Sequence, residues 1–365
     1  MPIAAPTAEE LAVLQDEAVR FTRELIRIDT TNFGGNDPAT WGRGESEAAQ
    51  YVVARLREVG LEPTVVESAP GRPSVFVTIP GEDRTRGGLI LHGHLDVVPA
   101  KAEDWSVDPF GAELIDGMIY GRGAVDMKDM VAMILAIARH IARTGQTPPR
   151  DLMFAFFADE ENGSVWGAQW LVENHPELFD GMTEAISEVG GYSITLPEKD
   201  TGQDVRAYLV QTAEKGIAWG RLRAHGRAGH GSVPNEENAI VRLARAIAAI
   251  DEHEFPTEFI ASVRALFDGI TEITGVGWDE DDIESFLPLT GGARQFVSGT
   301  LRDSANLTML SSGYKVNVIP QTAEAGIDCR FLPGHQEQLL ELLDELTGEH
   351  VEVIVDHLGV SVDSP

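Results

Sequence analysis

An apolar run at residues 152–158, LMFAFFA, ends on three adjacent carboxylates, Asp159, Glu160 and Glu161. A run of that length and composition reads as a strand buried on both faces. Two readings of its acidic end compete. One is a solvated turn, the ordinary meaning of a short acidic motif. The other is a cation site, because open α/β sheets hold ligands at the carboxyl ends of their strands and crowded like charges need a positive partner. Other segments favour the cation. In HGHLDVVP (92–99), His94 and Asp96 stand two apart on a strand and face the same side. Asp96 is thus placed to hold the ring of a ligating His94, whereas His92 reads as a core histidine. Asp126, in GRGAVDMKDM (121–130), opens a helix either as its N-cap or as a carboxylate bridging two metals; Asp129 equally suits the first turn. Glu188, in ISEVGG, ends a further strand. Histidine with carboxylates and no thiolate suits zinc, and also cobalt or manganese.

The elements that must position these groups follow from periodicity. Residues 7–28 read as an amphipathic helix with Thr7 as N-cap, and 45–59 as a second helix ended by Gly60. Between them lies a glycine-rich loop, 32–44. Short strands EPTVVES and PSVFVTIP precede the strand at 89–98; a long helix covers 126–144 and ends at Gly145. The strand at 152–158, a helix near 164–174 and a strand at 184–191 complete an alternation that predicts a mostly parallel, layered α/β sheet. From about residue 205 the pattern changes to β-α-β-β-α-β, the split βαβ arrangement of a small α+β domain. Residues 255–300 show no clear periodicity. The expected domains are therefore 1–204, catalytic; 205–359, a second domain; and 360–365, the start of a return to the first.

The chain has 365 residues, 43% of them hydrophobic, enough for two globular cores. Its net charge is −31, from 59 acidic against 28 basic residues, which argues against nucleic-acid and anionic-membrane partners. The single cysteine, Cys329, excludes an internal disulfide and a cysteine-based zinc site, and reads as a buried strand residue. The first residues lack a basic n-region and an apolar h-region, and no run reaches membrane-spanning length. The expected location is cytoplasmic.

Seven segments, GHLDVVP, W-x-x-DPF (105–110), GRGAVDMK, ADEENGS-x-x-GA, ISEVGG, GRAGHGSVP and KVNVIPQTAEAGIDCRFLPG, occur in the order seen in the M20 metallopeptidase family, which the chain resembles from about residue 20 to 360. The resemblance implies a zinc-aminopeptidase-like layered α/β catalytic domain with an inserted α+β, ferredoxin-like lid or dimerisation domain. It implies two divalent metal ions, zinc first, with cobalt or manganese as alternatives. By motif, His94 and Glu188 correspond to ligands of the first metal, Asp126 to the bridging ligand and Glu161 to a ligand of the second. Glu160 corresponds to the general base and Asp96 to the residue that orients His94. His230 corresponds to the lid histidine that steadies the oxyanion, Arg330 to the arginine that anchors a substrate carboxylate, and Asn306 to a lid asparagine that contacts substrate. An ion pair with Asp328 is the competing reading of Arg330. Asp159 reads as structural. The implied function is cleavage of an amide bond in a small peptide or N-acyl amino acid by metal-activated water, in a homodimer formed through the lid.

In the family the chain returns to the catalytic domain after the last lid strand and brings a glycine-rich loop and a final histidine, the second ligand of the second metal. Nothing after Leu358 resembles that segment, and His350 and His357 are poor substitutes. The second metal site is therefore expected to lack a ligand. The alternative function is that of an impaired fragment or pseudo-enzyme that binds at most one metal and dimerises through the lid. A carbamoyl or ureido amidohydrolase would share the same metal chemistry.

Overall fold

A computed structural model describes residues 5–35, 42–188 and 192–364. The chain divides into two compact units, Met1–Glu188 and Val189–Pro365.

The first unit is built on strands β1 (Thr64–Glu67), β2 (Pro73–Ile79), β3 (Gly88–His94), β6 (Leu152–Phe157) and β7 (Met182–Ile186), with a hairpin of β4 (Glu113–Ile115) and β5 (Met118–Tyr120) apart from them. The sheet order is β1-β2-β6-β3-β7. Strand β3 runs parallel to both β6 and β7, and β2 antiparallel to β6. All six residues of β6 are buried because both faces of the sheet are covered. Leu152, Phe154 and Phe156 pack with helices α1 (Ala8–Ile26), α2 (Ser46–Arg57) and α3 (Lys128–Thr144). Met153, Ala155 and Phe157 face the other way, toward Phe76 and Leu171 of helix α4 (Ala168–Asn174). This period-two division explains why the strand shows no polar alternation in sequence.

Thr7 caps α1 with a reciprocal capping box to Glu10. Helix α3 buries Val131, Ile134, Leu135, Ala138 and Ile141 and ends on Gly145 in the left-handed region. The two helices are joined by Glu17, which meets Arg139 at 3.0 Å and Arg143 at 2.7 Å. Burial alone would raise the Glu17 carboxyl, but the hydrogen bonds and charges of the two arginines hold it below the usual glutamate value. A folded-state pKa below the unfolded one means that the contribution is present above the unfolded value and is lost as pH falls through the acid range. Glu17→Gln is expected to cost about 2 kcal/mol at neutral pH, between the cost of an exposed pair and that of a fully buried one, because Arg143 reaches solvent. Urea unfolding at pH 7 and pH 3.5 would check it: the difference from the unsubstituted chain should shrink at the lower pH.

The second unit contains β8 (Ser193–Pro197), β9 (Asp204–Tyr208), β10 (Ala213–Glu214), β11 (Gly216–His225), β12 (Gly229–His230), β13 (Ser304–Ser312), β14 (Val318–Ile319), β15 (Thr322–Phe331), β16 (Val351–Gly359) and β17 (Val362–Asp363). Its helices are α5 (Ala239–Asp251), α6 (Ala261–Thr274), α7 (Ile283–Phe286), α8 (Arg294–Gly299) and α9 (Gln336–Thr347). The main sheet, β13-β15-β11-β16, is antiparallel throughout. With α5 and α9 it forms the expected split βαβ pattern. Strand β15 turns Ala323, Ala325, Ile327, Cys329 and Phe331 into a core shared with both helices.

Three sequence expectations change. The boundary falls at Glu188 rather than at residue 204, because Ile194 and Leu196 of the β8–β9 hairpin pack on Val263, Phe267 and Ile270 of α6. Residues 255–300 are not aperiodic: α6 places those three apolar residues at helical spacing, although its N-cap, Ile260, offers no side-chain hydrogen bond. In the segment expected to begin a return to the first unit, Val362–Asp363 pairs with Ala213–Glu214 of the second.

Candidate metal centre

The parallel register sets His94, the last residue of β3, beside Phe157, the last residue of β6. The segments that follow both strands therefore leave the sheet at one edge. His94 is 2% exposed. Its Nδ1 lies 2.9 Å from the Asp96 main-chain oxygen and 3.3 Å from the Asp96 carboxylate, which leaves Nε2 to face outward. Around Nε2 stand Asp126 at 3.0 Å, Glu188 at 3.5 Å and Glu160 at 3.7 Å. Two triads, His94–Asp126–Glu161 and His94–Glu160–Glu188, each bring their ligand atoms within 4.8 Å of one another. His94 belongs to both.

Each carboxylate is held by its own local structure. Asp126 sits ahead of α3, whose N-cap is Met127 and carries no side-chain cap bond, so the N-cap reading of Asp126 does not hold. Asp159 is fully buried with φ of 61°, a left-handed conformation that aspartate tolerates. It accepts hydrogen bonds from Asn32 Nδ2 at 3.0 Å and the Trp166 amide at 2.9 Å, and is the structural member of the acidic trio. The turn it starts carries Glu160 and Glu161 out of the sheet as a short 3-10 helix, Glu160–Asn162. Gly167 closes this turn against the strand end; a Cβ there would lie 1.9 Å from the Ala158 carbonyl oxygen. Glu188 lies just beyond β7, and residues 189–191, expected to extend that strand, fall outside the described residues.

The electrostatics suit a cation. Burial pushes Glu160 up to about 7, the charges of Glu188, Asp96 and Asp126 adding to the effect and His94 opposing it. Burial likewise raises Glu161 to about 7, helped by Asp126, Asp96 and Glu160. Burial would lower His94, but hydrogen bonds to Asp126, Asp96 and Glu188 hold it well above its usual value. An imidazole ringed by carboxylates takes a proton or a divalent ion in the same place, and an ion requires the imidazole neutral. The donor set, one histidine nitrogen with carboxylate oxygens, fits zinc and the other first-row divalent ions. His92, expected in the core, is only partly buried: its ring packs on Phe157 at 5.2 Å, its Nδ1 meets Ser187 Oγ at 3.2 Å, and burial, then the charge of His94, pulls it down to about 4.

Sequence reasoning missed the layer beneath. Asn32, Glu45 and Arg72 are all buried, with Arg72 and Glu45 forming an ion pair. Arg72 donates to Asn32 Oδ1 at 3.0 Å and lies 3.5 Å from Asp159. Glu45 precedes α2 at the N-cap position yet makes no cap bond there, its carboxylate being spent on Arg72. Lys128, fully buried, donates to the carbonyls of Leu25 and Ile28 and ties α3 to the end of α1. The available signal was Arg72 itself, a lone cation directly before an apolar strand.

His230, Asn306 and Arg330 belong to the second unit. His230, on β12, is exposed and meets Ser232 Oγ at 2.8 Å. Arg330 makes a two-pronged pair with Asp328, at 2.7 and 3.0 Å, so the ion-pair reading of this residue is the one the structure shows. Arg330 also lines a largely apolar cavity of about 510 Å³ with Leu209, Ile260 and Phe296. Asn306 on β13 pairs in register with Asp328 and is exposed. His357 packs beside Trp219, at 5.3 Å, and the His350 carbonyl accepts from the His225 amide.

Comparison with known proteins places the fold and the sequence. The pattern of Peptidase family M20/M25/M40 matches residues 90–356. The N-fatty-acyl-amino acid synthase/hydrolase PM20D1 of Xenopus tropicalis is 28% identical over 352 residues, covering 93% of this chain and 67% of that protein. Aminoacylase-1 of Sus scrofa is 30% identical over 287 residues, 78% of this chain and 60% of that protein. The chain thus spans between three fifths and two thirds of the length of these two relatives. Human carnosine dipeptidase 1 superposes with a TM-score of 0.62 at 18% identity, over 99% of this chain and 82% of that one. The M20 family metallo-carboxypeptidase Sso-CP2 of Sulfolobus solfataricus gives 0.62 at 18%, over 94% and 79%. These likenesses show the expected fold, a layered α/β unit and a separate α+β unit. With the family pattern running through His94, Asp126, Glu160, Glu161 and Glu188, the chain belongs to peptidase family M20/M25/M40.

Proposed function

We propose that this protein is a metal-dependent hydrolase that cleaves the amide bond of small peptides or N-acyl amino acids. The observation that carries the reading is the pair of triads sharing His94. The names of the relatives, an N-fatty-acyl-amino acid synthase/hydrolase and an aminoacylase, support the substrate class. Two divalent ions, zinc first, would supply a water of lowered pKa and polarise the scissile carbonyl. The chain's own groups do the rest. His94 and Glu188 would hold a first ion and Glu161 a second, with Asp126 as the carboxylate they would share. Glu160, raised by burial into the range suited to proton transfer, takes the proton of the attacking water and returns it to the departing amine. His230 donates to the developing oxyanion. Arg330 anchors the substrate carboxylate, for which its guanidinium must exchange Asp328 for the substrate, and Asn306 contacts the substrate beside it.

We further propose a cytoplasmic homodimer joined through the second unit. β13 is an edge strand carrying exposed Met309 and Leu310, and Cys329 is buried and unpaired. No helix among the described residues is long and apolar enough to cross a membrane.

The test is hydrolysis of a panel of dipeptides and N-acyl amino acids by the zinc-loaded and the chelated chain, with metal content and sedimentation measured on the same samples. Turnover by the loaded chain alone is the expected result. Bound metal without turnover of any panel member would favour the impaired-enzyme reading instead.

A further inference from the structure

Asn32 occupies a position that its side chain alone explains. It is 4% exposed, and each of its four hydrogen-bonding capacities is used. Oδ1 accepts from Arg72 Nη2 at 3.0 Å and from the Gly34 amide at 2.9 Å. Both of those groups can only donate, so the orientation of the carboxamide is fixed. Nδ2 therefore points the other way and donates to Asp96 Oδ2 at 2.8 Å and to Asp159 Oδ1 at 3.0 Å. One NH2 group thus stands between two fully buried carboxylates that end two neighbouring strands. Two such carboxylates facing each other without a donor would repel in a medium of low dielectric.

The backbone brings Asn32 there independently. Thr30 Oγ1 donates to the Leu95 carbonyl at 2.7 Å, and the Asn32 amide to the Val97 carbonyl at 2.9 Å. Residues 30–32 therefore run alongside the continuation of β3. Arg72 is in turn fixed by Glu45. Downstream, Asp96 accepts the amides of Glu160 and Glu161, each at 3.1 Å, while its other contacts hold the His94 ring. Asp159 starts the turn that carries the same two glutamates. Both carboxylates that the Asn32 Nδ2 serves thus lead to groups that would hold a metal or move a proton.

We propose that Asn32, oriented by the buried Glu45–Arg72 pair, is a positioning residue of the metal centre: it spaces Asp96 and Asp159, and thereby aims His94 and the Glu160–Glu161 turn. The inference rests on the metal reading above. It assigns Asn32 no contact with substrate; its effect passes through Asp96 and Asp159.

The test uses the whole chain and cobalt(II) as probe, since its visible absorption reports ligand geometry as well as binding. Asn32→Asp keeps the shape and replaces the bridging donor with an acceptor. The expected result is a folded protein, by circular dichroism and melting, whose cobalt affinity falls about ten- to hundred-fold with an altered absorption band. Arg72→Lys keeps the charge but loses the planar fork that sets the carboxamide; a smaller shift of the same sign is expected. Should Asn32→Asp not fold, Arg72→Lys decides by the same two readouts. Unchanged affinity and unchanged spectrum in the folded variants would overturn the positioning role and leave the metal reading standing. Absence of cobalt binding by the unsubstituted chain would overturn the metal reading and this inference together.

Discussion

A Glu160→Ala chain is expected to keep its bound metal and lose turnover by about a thousand-fold, the middle of the range for a positioned general base. The two triads make this a sharp test. Glu160 stands in one of them with His94 and Glu188, so geometry alone allows it to be a ligand. Its Oε2 is nevertheless farther from Nε2 of His94, at 3.7 Å, than the nearest oxygens of Asp126 and Glu188. Glu161, its neighbour, has one oxygen engaged by the Val98 amide at 3.2 Å, an anchor that suits a fixed ligand. Removing the Glu160 side chain leaves its amide free to donate to Asp96, so the turn should persist. Metal content by elemental analysis and turnover at saturating substrate, measured on one preparation, separate the two roles. Metal loss as large as that from losing His94 would show that Glu160 ligates, and the division of labour between the adjacent glutamates would have to be reversed.

Legibility in the sequence followed distance along the chain. His94, Asp126, Glu160, Glu161 and Glu188 each end or open an element, and each sits in a short motif whose neighbours announce that element. The sheet needed only period and length to be read, because β6 is apolar on both faces and β15 alternates cleanly. The layer under the site left only Arg72 as a trace, for the opposite reason. Asn32, Glu45 and Arg72 come from three separate segments, each with an ordinary local explanation: a glycine-rich loop, a helix start and a turn before a strand. Only the fold brings their polar groups together out of water, where each must find a partner. The second unit shows the same limit. Its split βαβ core was legible from the order of elements, but the β8–β9 hairpin was assigned to the wrong unit because its partner, α6, lies more than fifty residues farther along. Arg330 illustrates the remaining difficulty. A cation in a strand with an acid two positions away faces that acid on the same side, so sequence leaves a substrate anchor and an ion pair equally open, and the structure shows the pair.

His94→Ala is expected to abolish binding of the first metal, with a fall in affinity greater than about a hundred-fold, and to weaken the second, whereas Glu161→Gln should lose the second metal and retain the first. The contrast follows from membership: His94 belongs to both triads and Glu161 to one. His94 is also the only nitrogen donor in either set, so its loss leaves carboxylate oxygens alone, a donor set better suited to magnesium or calcium than to zinc. The charge balance points the same way. With the imidazole gone, Asp96, Asp126, Glu160 and Glu161 lose the group that opposes their mutual repulsion. Their affinity for protons should rise, and metal must then compete with protons at neutral pH. Zinc titration at pH 7 and pH 8.5 reads both effects. Part of the lost affinity should return at the higher pH in His94→Ala, and much less should return in Glu161→Gln, where the histidine remains. Retention of two tightly bound metals by His94→Ala would mean that the carboxylates alone build the centre and that His94 serves only to balance their charge.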